Sequence, residues 1–253
     1  MKEDEKLQIL EGYLLNLRGF VARYPTERQA IVLFSGGMDS VVLAAKLIME
    51  HDLTVFPVHI IRNQSNLDGE RRSARIFEEI YRDRFGDKFQ PVQELCIHFP
   101  PDEIKATMKN YVVSNGYPCR DNMFALYAVH YAISLREKHG NIYDIFTSAI
   151  PGGTYTHDTL LALRSTTILA CNSTPFHEWN ITSPNLDPFL LGDRQPVQKK
   201  DLAAWGFAHD IPIELSHTCI VTSEVHCGVC IFCKKRKRAF SEAGVPDRTI
   251  YNE

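Results

Sequence analysis

The sequence predicts an α/β fold, doubly wound around a mainly parallel sheet, with a small C-terminal segment. Short apolar runs typical of strands buried on both faces alternate with helical patterns, an order that produces parallel sheets covered by helices. The 253 residues, 44% of them hydrophobic and 23% charged, suffice for one large core and exclude a disordered chain. Four of the seven cysteines crowd into residues 219–233 and mark the C-terminal segment.

The chain opens with a helix that is followed by a strand–helix–strand unit. Apolar residues from Ile9 to Val21 recur at helical spacing and predict an amphipathic helix over residues 6–21. We expect this helix to pack on the main domain, and an interface in a homodimer is the alternative. A buried strand, a helix and a second strand are predicted at 30–34, 41–49 and 53–60. This order indicates neighbouring parallel strands.

The alternation of predicted strands and helices continues to residue 150 and is not recognisable beyond it. Helices are predicted at 68–85, 102–114 and 122–138, and strands at 91–97 and 142–150. Residues 151–198 carry scattered prolines and are predicted to form long loops. The helical pattern returns at 198–209 and in a short C-terminal helix through Phe240. The sequence therefore predicts an N-terminal helix, a main domain and a C-terminal segment, at residues 1–24, 25–212 and 213–253.

Charge and hydropathy exclude several classes of function. The formal net charge is −3 and the pI about 6.4, so no overall field gathers nucleic acid or anionic lipid. No apolar run approaches the roughly 18 residues that span a bilayer, and the mixed-charge start does not suit a secretory signal. A soluble cytoplasmic protein without a membrane partner is expected. The basic run 234–238 is expected to be a solvated helix face rather than a nucleic-acid site.

A phosphate-binding loop is predicted where the first strand gives way to a helix. The loop is Ser35-Gly36-Gly37-Met38-Asp39-Ser40. The N–H groups at the helix start favour an anion, and the glycines let the backbone approach it closely. The two serine hydroxyls can donate to phosphate oxygens, and Asp39 can bind Mg²⁺ or orient a hydroxyl. Neither a Walker A loop nor a G-x-G-x-x-G fingerprint is present. A tight turn without a ligand is the alternative.

The clustered cysteines predict a metal site. Cys219, Cys227, Cys230 and Cys233 offer four thiolates within fifteen residues, and the last two gaps contain only two residues each. Four soft ligands without an open position are typical of a structural Zn²⁺ site. An iron–sulfur cluster and unliganded thiols stay open as alternatives. His217 and His226 flank the cluster and could replace a ligand, although we expect them to be solvated. Cys96 and Cys171 are expected to be small core residues.

Both motifs resemble a known family. The loop at 35–40 looks like the signature of the PP-loop ATP pyrophosphatases. The segment His217-Thr218-Cys219, His226-Cys227-Gly228-Val229-Cys230-Ile231-Phe232-Cys233 and Asp247-Arg248-Thr249-Ile250-Tyr251 resembles the zinc segment of the 7-cyano-7-deazaguanine synthases, or QueC proteins. Tyr117-Pro118-Cys119-Arg120 looks like the family's Pro-Gly-Arg-Asn region. Lys199, seven residues before Gly206, falls where the family carries Thr-Lys.

The resemblance implies an adenine-nucleotide α-hydrolase-like fold and an ATP-dependent ligase. Its substrate would be 7-carboxy-7-deazaguanine, whose carboxylate is adenylated and converted by ammonia into an amide and then a nitrile. The loop residues Ser35 to Ser40 would hold ATP and Mg²⁺, and the main chain at His59 would meet adenine. Asp39, Arg120 and Lys199 would be catalytic, and Arg236 would reach toward this site. The weaker substrate assignments are Tyr117, Asp121, Asn122, Tyr155, His157 and Asp158.

The sequence also departs from the family pattern. Cys119-Arg120-Asp121 stands where the family has Gly-Arg-Asn, and residues 155–161 lack a Cys-Arg pair that the family carries. Cys119 is expected to be a spare small residue, with a covalent thioester as the alternative. Three hypotheses follow: ordinary nitrile synthesis, a diverged enzyme of an antiviral defence system that passes the activated carboxylate to another amine, such as one on a protein, and a non-catalytic nucleotide-binding regulator. A tRNA thiolase fits less well, because the basic surface that tRNA needs is missing.

Overall fold

The computed structural model describes residues 1–62, 64–98, 100–108, 111–112, 116–152, 159–221 and 224–252. The strands are β1 Gln29–Leu33, β2 Thr54–Ile61, β3 Gln93–Cys96, β4 Asp144–Phe146 and β5 Asn180–Thr182. The helices are α1 Glu3–Arg18, α2 Met38–His51, α3 Leu67–Phe85, α4 Asp102–Thr107, α5 Arg120–His139, α6 Leu160–Ser173, α7 Pro188–Leu191, α8 Lys199–Ala208 and α9 Ile231–Ala243. Short 3₁₀ helices span Gly86–Lys88 and Ile213–Leu215.

The strands form one sheet in the order β3-β2-β1-β4-β5. The pairs β1–β4, β2–β3 and β4–β5 run parallel, with Ile31 opposite Ile145 and Ile60 opposite Leu95. The predicted α/β fold with a parallel sheet is therefore confirmed. The strand order reverses at β1, and open parallel sheets bind ligands outside the carboxyl ends of strands at such a switch point. The predicted phosphate loop follows β1 directly.

The chain divides into two compact units. Unit 1 comprises Met1–Leu33 and His98–Pro196, and unit 2 comprises Phe34–Ile97 and Val197–Glu253. The three parts predicted from the sequence stay a prediction. None of the helices in the described ranges combines the length and the apolar composition that crossing a membrane requires.

In unit 1 the N-terminal helix packs against α6. Leu14 of α1 is fully buried, and the hydroxyl of Tyr13 donates to Asn172 Oδ1 at 2.9 Å. The helix ends earlier than predicted, because Gly19 adopts φ 79° and its N–H bonds to the Leu15 carbonyl. Phe20 therefore lies beyond the helix.

The expectation of long loops over 151–198 is wrong, since α6, β5 and α7 lie there. Helix α6 escaped the sequence pattern because its buried face is partly polar, with Arg164 and Thr167 almost inaccessible to solvent. Arg164 Nη1 forms an ion pair with Asp187 Oδ2 at 2.7 Å, and the Thr167 hydroxyl donates to the Ile181 carbonyl at 2.9 Å. Burying polar groups that have such partners costs little free energy. Polar residues on the buried face nevertheless interrupt the apolar periodicity from which a helix is predicted.

Unit 2 is organised around α2, which packs against β2, α3 and α8. The buried residues of this helix are Met38, Ser40, Val41, Val42, Leu43, Ala44, Ala45, Leu47 and Ile48. Helix α8 approaches closely at Gly206, where a Cβ would lie 3.0 Å from Ile213 Cγ2 and 3.3 Å from Val42 Cγ2. The absence of a side chain at Gly206 therefore lets α8 pack closely against Ile213 and against Val42 of α2.

Candidate active site and metal centre

The predicted phosphate loop forms a tight turn between β1 and α2. Gly36 has φ 73°, and a Cβ there would lie 2.8 Å from the Ala74 backbone nitrogen, so only glycine fits. The Gly37 N–H donates to Ser35 Oγ at 3.2 Å, and the Ser40 hydroxyl donates to the Gly37 carbonyl at 3.0 Å. The first N–H groups of α2 have no acceptor within the helix. The loop therefore offers the donors that an anion requires.

Lys199 meets Asp39 beside this loop. Lys199 is the first residue of α8, and its Nζ lies 2.7 Å from Asp39 Oδ2, with both side chains largely shielded from solvent. The other carboxylate oxygen, Oδ1, is buried and has no hydrogen-bond partner among the described residues. Two residues that the sequence analysis selected independently are thus in contact. The unpartnered oxygen can accept a hydroxyl or bind a hard cation.

His59 lies in the carboxyl half of β2 and is 1% exposed. Burial lowers the pKa of His59 to about 4, so its imidazole is neutral at physiological pH. Neither ring nitrogen has a hydrogen-bond partner within the described part of the chain, and Nε2 lies 4.0 Å from Glu70 Oε2. The prediction that adenine meets the main chain at His59 stays a prediction.

Arg120 and its neighbours lie in unit 1, at the start of α5. The guanidinium of Arg120 holds Asp121 through two bonds, from Nε to Oδ1 at 2.6 Å and from Nη2 to Oδ2 at 3.1 Å. The side-chain amide of Asn122 donates to the Ala162 carbonyl at 3.0 Å and also to Thr166. Roles of Arg120, Tyr117, Asp121 and Asn122 toward substrate stay predictions. Three further substrate assignments lie outside the described residues: Tyr155, His157 and Asp158.

Cys119 occupies a backbone conformation that favours glycine, with φ 56° directly before α5. A side chain in this left-handed region costs on the order of 1 kcal/mol. Cys119→Gly is therefore expected to raise the free energy of unfolding by up to about 1 kcal/mol, because the gain exceeds the extra entropy of an unfolded glycine. Urea unfolding measures the change.

Cys119→Ala is the matched control, because it removes the thiol and keeps the strain, and it should unfold like the wild type. Loss of turnover in both variants would contradict the assignment of Cys119 as a spare residue and would favour the thioester. Among the other isolated cysteines, Cys171 is buried as expected. The expectation for Cys96 is wrong, because this residue is exposed.

The four clustered cysteines form a candidate metal centre in unit 2. Their sulfur atoms all lie within 4.8 Å of one another, and the Sγ atoms of Cys227 and Cys233 are 3.9 Å apart. A regular tetrahedron with metal–sulfur bonds of about 2.3 Å separates its sulfurs by about 3.8 Å. The residues therefore fit one tetrahedral ion. A [4Fe–4S] cluster would spread the sulfurs further, because each thiolate binds a different iron atom, and a [2Fe–2S] cluster would separate them into two pairs on two iron atoms.

Backbone donors prepare these sulfurs for a metal. The N–H of Cys230 donates to Cys227 Sγ at 3.3 Å, and the N–H of Cys233 donates to Cys230 Sγ at 3.4 Å. The N–H groups of Cys230 and Val229 lower the pKa of the Cys227 thiol to about 6, whereas burial raises the pKa of Cys233. The backbone donors therefore favour the thiolate form of Cys227, which lies just before α9.

The two flanking histidines are buried, not solvated as expected. His226 is 6% exposed, and its Nε2 accepts the Thr218 N–H at 3.1 Å, so this nitrogen is occupied. The ring of His217 lies against Gly69, where a Cβ would be 2.5 Å from Nε2. Neither histidine belongs to the ligand group that the geometry brings together.

In the basic run, Lys234 and Arg238 are exposed, whereas Arg236, which was expected to reach toward the active site, is fully buried. Its Nε donates to Thr249 Oγ1 at 2.9 Å and its Nη1 to Ser216 Oγ at 2.8 Å. Burial among these neutral partners lowers the pKa of the guanidinium. Residues missed by the sequence analysis include Ser73, a buried serine within the otherwise highly charged α3. Nothing in its local sequence distinguishes it.

The fold and site define an α/β protein with a predicted phosphate loop and a candidate four-cysteine metal centre. Comparison with known proteins shows which proteins of this class the chain is similar to. A family model described as queuosine biosynthesis protein QueC matches residues 194–244. The 7-cyano-7-deazaguanine synthase of Methanothrix thermoacetophila is 27% identical over 235 residues, 88% of this chain and 98% of the relative. Those of Methanosphaera stadtmanae and Rhizobium meliloti are 25% and 29% identical, over 89% of this chain each and 99% and 92% of the relatives. The chain is thus similar to 7-cyano-7-deazaguanine synthases over most of its length.

Proposed function

We propose that the protein is an ATP-dependent ligase that converts the carboxylate of 7-carboxy-7-deazaguanine into an amide and then a nitrile. The contact between Lys199 Nζ and Asp39 Oδ2 at the phosphate loop is the observation that carries this proposal. A loop that served only as a turn would not need a partly shielded carboxylate and a lysine brought together from positions 160 residues apart. The similarity to 7-cyano-7-deazaguanine synthases over most of the chain supports the choice of substrate.

The chemistry begins with a poor electrophile. A substrate carboxylate oxygen attacks the α-phosphorus of ATP, the bond between the α-phosphorus and the bridging oxygen breaks, and pyrophosphate leaves. The loop N–H groups and the ammonium of Lys199 stabilise the negative charge that grows on the leaving group. The product is an acyl-adenylate, whose carbonyl carbon carries a good leaving group.

Nitrogen enters in the second stage. Ammonia attacks the acyl carbon, AMP departs and the nitrogen loses a proton, which leaves the amide. A second adenylation, on the amide oxygen, releases another pyrophosphate, and loss of AMP with the remaining N–H protons gives the nitrile. We place Arg120 on the phosphates and the adenylate in both stages, since its charge suits these anions.

Two metals complete the proposal. Asp39 Oδ1 is a buried oxygen without a partner, which fits a Mg²⁺ ion, and Ser35 and Ser40 supply neighbouring oxygens. Mg²⁺ would neutralise charge on the triphosphate. Zn²⁺ would occupy the four-cysteine centre, where a closed set of thiolates leaves no position for substrate and makes the ion structural.

The test is a direct assay. The purified protein is incubated with ATP, Mg²⁺ and 7-carboxy-7-deazaguanine, with and without ammonia, while mass spectrometry follows the base and a coupled assay follows pyrophosphate. We expect the nitrile and two pyrophosphates per base converted. A base that stops as an adenylate, or that becomes attached to a protein, would contradict nitrile synthesis and favour the diverged enzyme. Bound ATP without pyrophosphate release would favour the non-catalytic regulator.

A further inference from the structure

Two buried groups donate to one carbonyl of the predicted phosphate loop. The hydroxyl of Ser73 on α3 donates to the Gly36 carbonyl at 2.7 Å, and the N–H of His217 donates to the same oxygen at 3.0 Å. The His217 N–H also lies 3.2 Å from Ser73 Oγ. Ser73 is 2% exposed and His217 4%, so water does not compete for these bonds.

Fixing this carbonyl orients the anion-binding side of the loop. The Gly36 oxygen and the Gly37 N–H belong to one planar trans peptide unit and point in opposite directions. A carbonyl held by Ser73 and His217 therefore aims the Gly37 N–H away from them, toward Ser35 Oγ. A Cβ on Gly36 would lie 3.0 Å from Ser73 Cβ, and one on Gly37 would lie 3.6 Å from the His217 oxygen. The peptide has little room to rotate.

The partner segment is itself anchored. Residues 216–219, the anchor segment, end at Cys219, one of the four cysteines of the metal centre. Within it, the Thr218 N–H donates to His226 Nε2 at 3.1 Å, next to Cys227. Arg236 of α9 reaches the segment through Ser216 Oγ at 2.8 Å and Thr218 Oγ1 at 3.3 Å. Only one residue separates His217 from a metal ligand.

Helix α3 and the residue Ser65 before it also contact the chain near the four cysteines. Ser65, just before it, donates to the Ile220 carbonyl at 3.2 Å, and Arg72 donates to the Glu224 carbonyl. The ring of His217 rests on Gly69 in the first turn of the helix. The anchor segment and α3 thus both contact the loop, and Ser73 is hydrogen-bonded to His217 and to Gly36.

We propose that the four-cysteine centre does more than stabilise the fold: through the anchor segment, it positions the phosphate loop for pyrophosphate, with Ser73 and Arg236 as positioning residues. The inference rests on the proposed function only in treating the loop as a phosphate site. It predicts that metal occupancy and Ser73 each alter loop order and anion affinity, although neither touches the ligand.

The first test removes one hydroxyl and keeps the metal. Ser73→Ala is expected to bind inorganic pyrophosphate, with Mg²⁺, about tenfold more weakly by calorimetry, the effect of one well-placed hydrogen bond. Its metal content should equal that of the wild type. Thr167→Val in unit 1 is the matched control, because it also removes a buried hydroxyl. The proposal fails if Ser73→Ala binds as tightly as the wild type, or if Thr167→Val loses as much affinity.

The second test removes the metal from the intact chain and follows amide hydrogen exchange without any turnover. Chelation is expected to speed exchange at residues 35–40 about tenfold, while α6 of unit 1 keeps its protection and reports that the chain is folded. Unchanged exchange at 35–40, with faster exchange at 216–233, would overturn the proposal. A wild type that binds no pyrophosphate would refute the phosphate site and with it the proposed function. The exchange experiment does not use that ligand, and it would still show whether the four-cysteine centre orders residues 35–40.

Discussion

Asp39→Asn is expected to reduce pyrophosphate release by about a thousandfold, the size of effect seen when one preorganised charge or donor is removed from an active site. The amide keeps the shape of the side chain but loses the negative charge that holds Lys199 Nζ at 2.7 Å. It also loses the anionic oxygen, Oδ1, that we assign to Mg²⁺. Turnover of 7-carboxy-7-deazaguanine, measured as pyrophosphate formed, checks the prediction.

Two comparisons sharpen this result. Asp52→Asn changes the same residue type at the opposite end of α2, in the left-handed conformation that asparagine tolerates, and should leave turnover unchanged. The Lys199→Met variant should lose about as much activity as Asp39→Asn. The variant that carries both changes should lose little more, because the two side chains act as a unit. If the Asp39→Asn variant released pyrophosphate at a rate within tenfold of the wild type, the assignment of Asp39 to the active site would be wrong.

Cys230→Ser is expected to abolish metal binding and to lower the free energy of unfolding by more than about 4 kcal/mol. The reason is that the four sulfurs, all within 4.8 Å of one another, hold together the start of α9 and the anchor segment, and a hydroxyl is a poor substitute for a thiolate. Plasma emission spectrometry gives the metal and its stoichiometry, and urea unfolding gives the free energy.

Cys96→Ser provides the control for this experiment, because Cys96 is an exposed thiol of β3 in the same unit. It should keep one metal ion per chain and the stability of the wild type. Zinc in the wild type would support the proposed ion, whereas iron with visible absorbance would contradict it. A Cys230→Ser protein of full metal content would refute the ligand assignment.

The parts that the sequence predicted well are local in the chain. The turn at residues 35–40 is one continuous stretch between a buried strand and a helix, and the four cysteines lie within fifteen residues. Their patterns follow from short-range geometry, since strand, turn and first helical turn are specified by neighbouring residues. Helix α6 escaped because its buried Arg164 is neutralised by Asp187, a partner 23 positions away.

By itself the sequence determined the α/β class, and through residue type and spacing it predicted the loop and the cysteine set. The family resemblance added the prediction that Asp39 and Lys199 are catalytic. Only the tertiary structure decided that Lys199 contacts Asp39, because that contact depends on α8 packing against α2. It also decided that Ser73 and His217 hold the Gly36 carbonyl. Contacts between distant segments depend on how helices pack, and side-chain packing leaves no periodic signal in the chain.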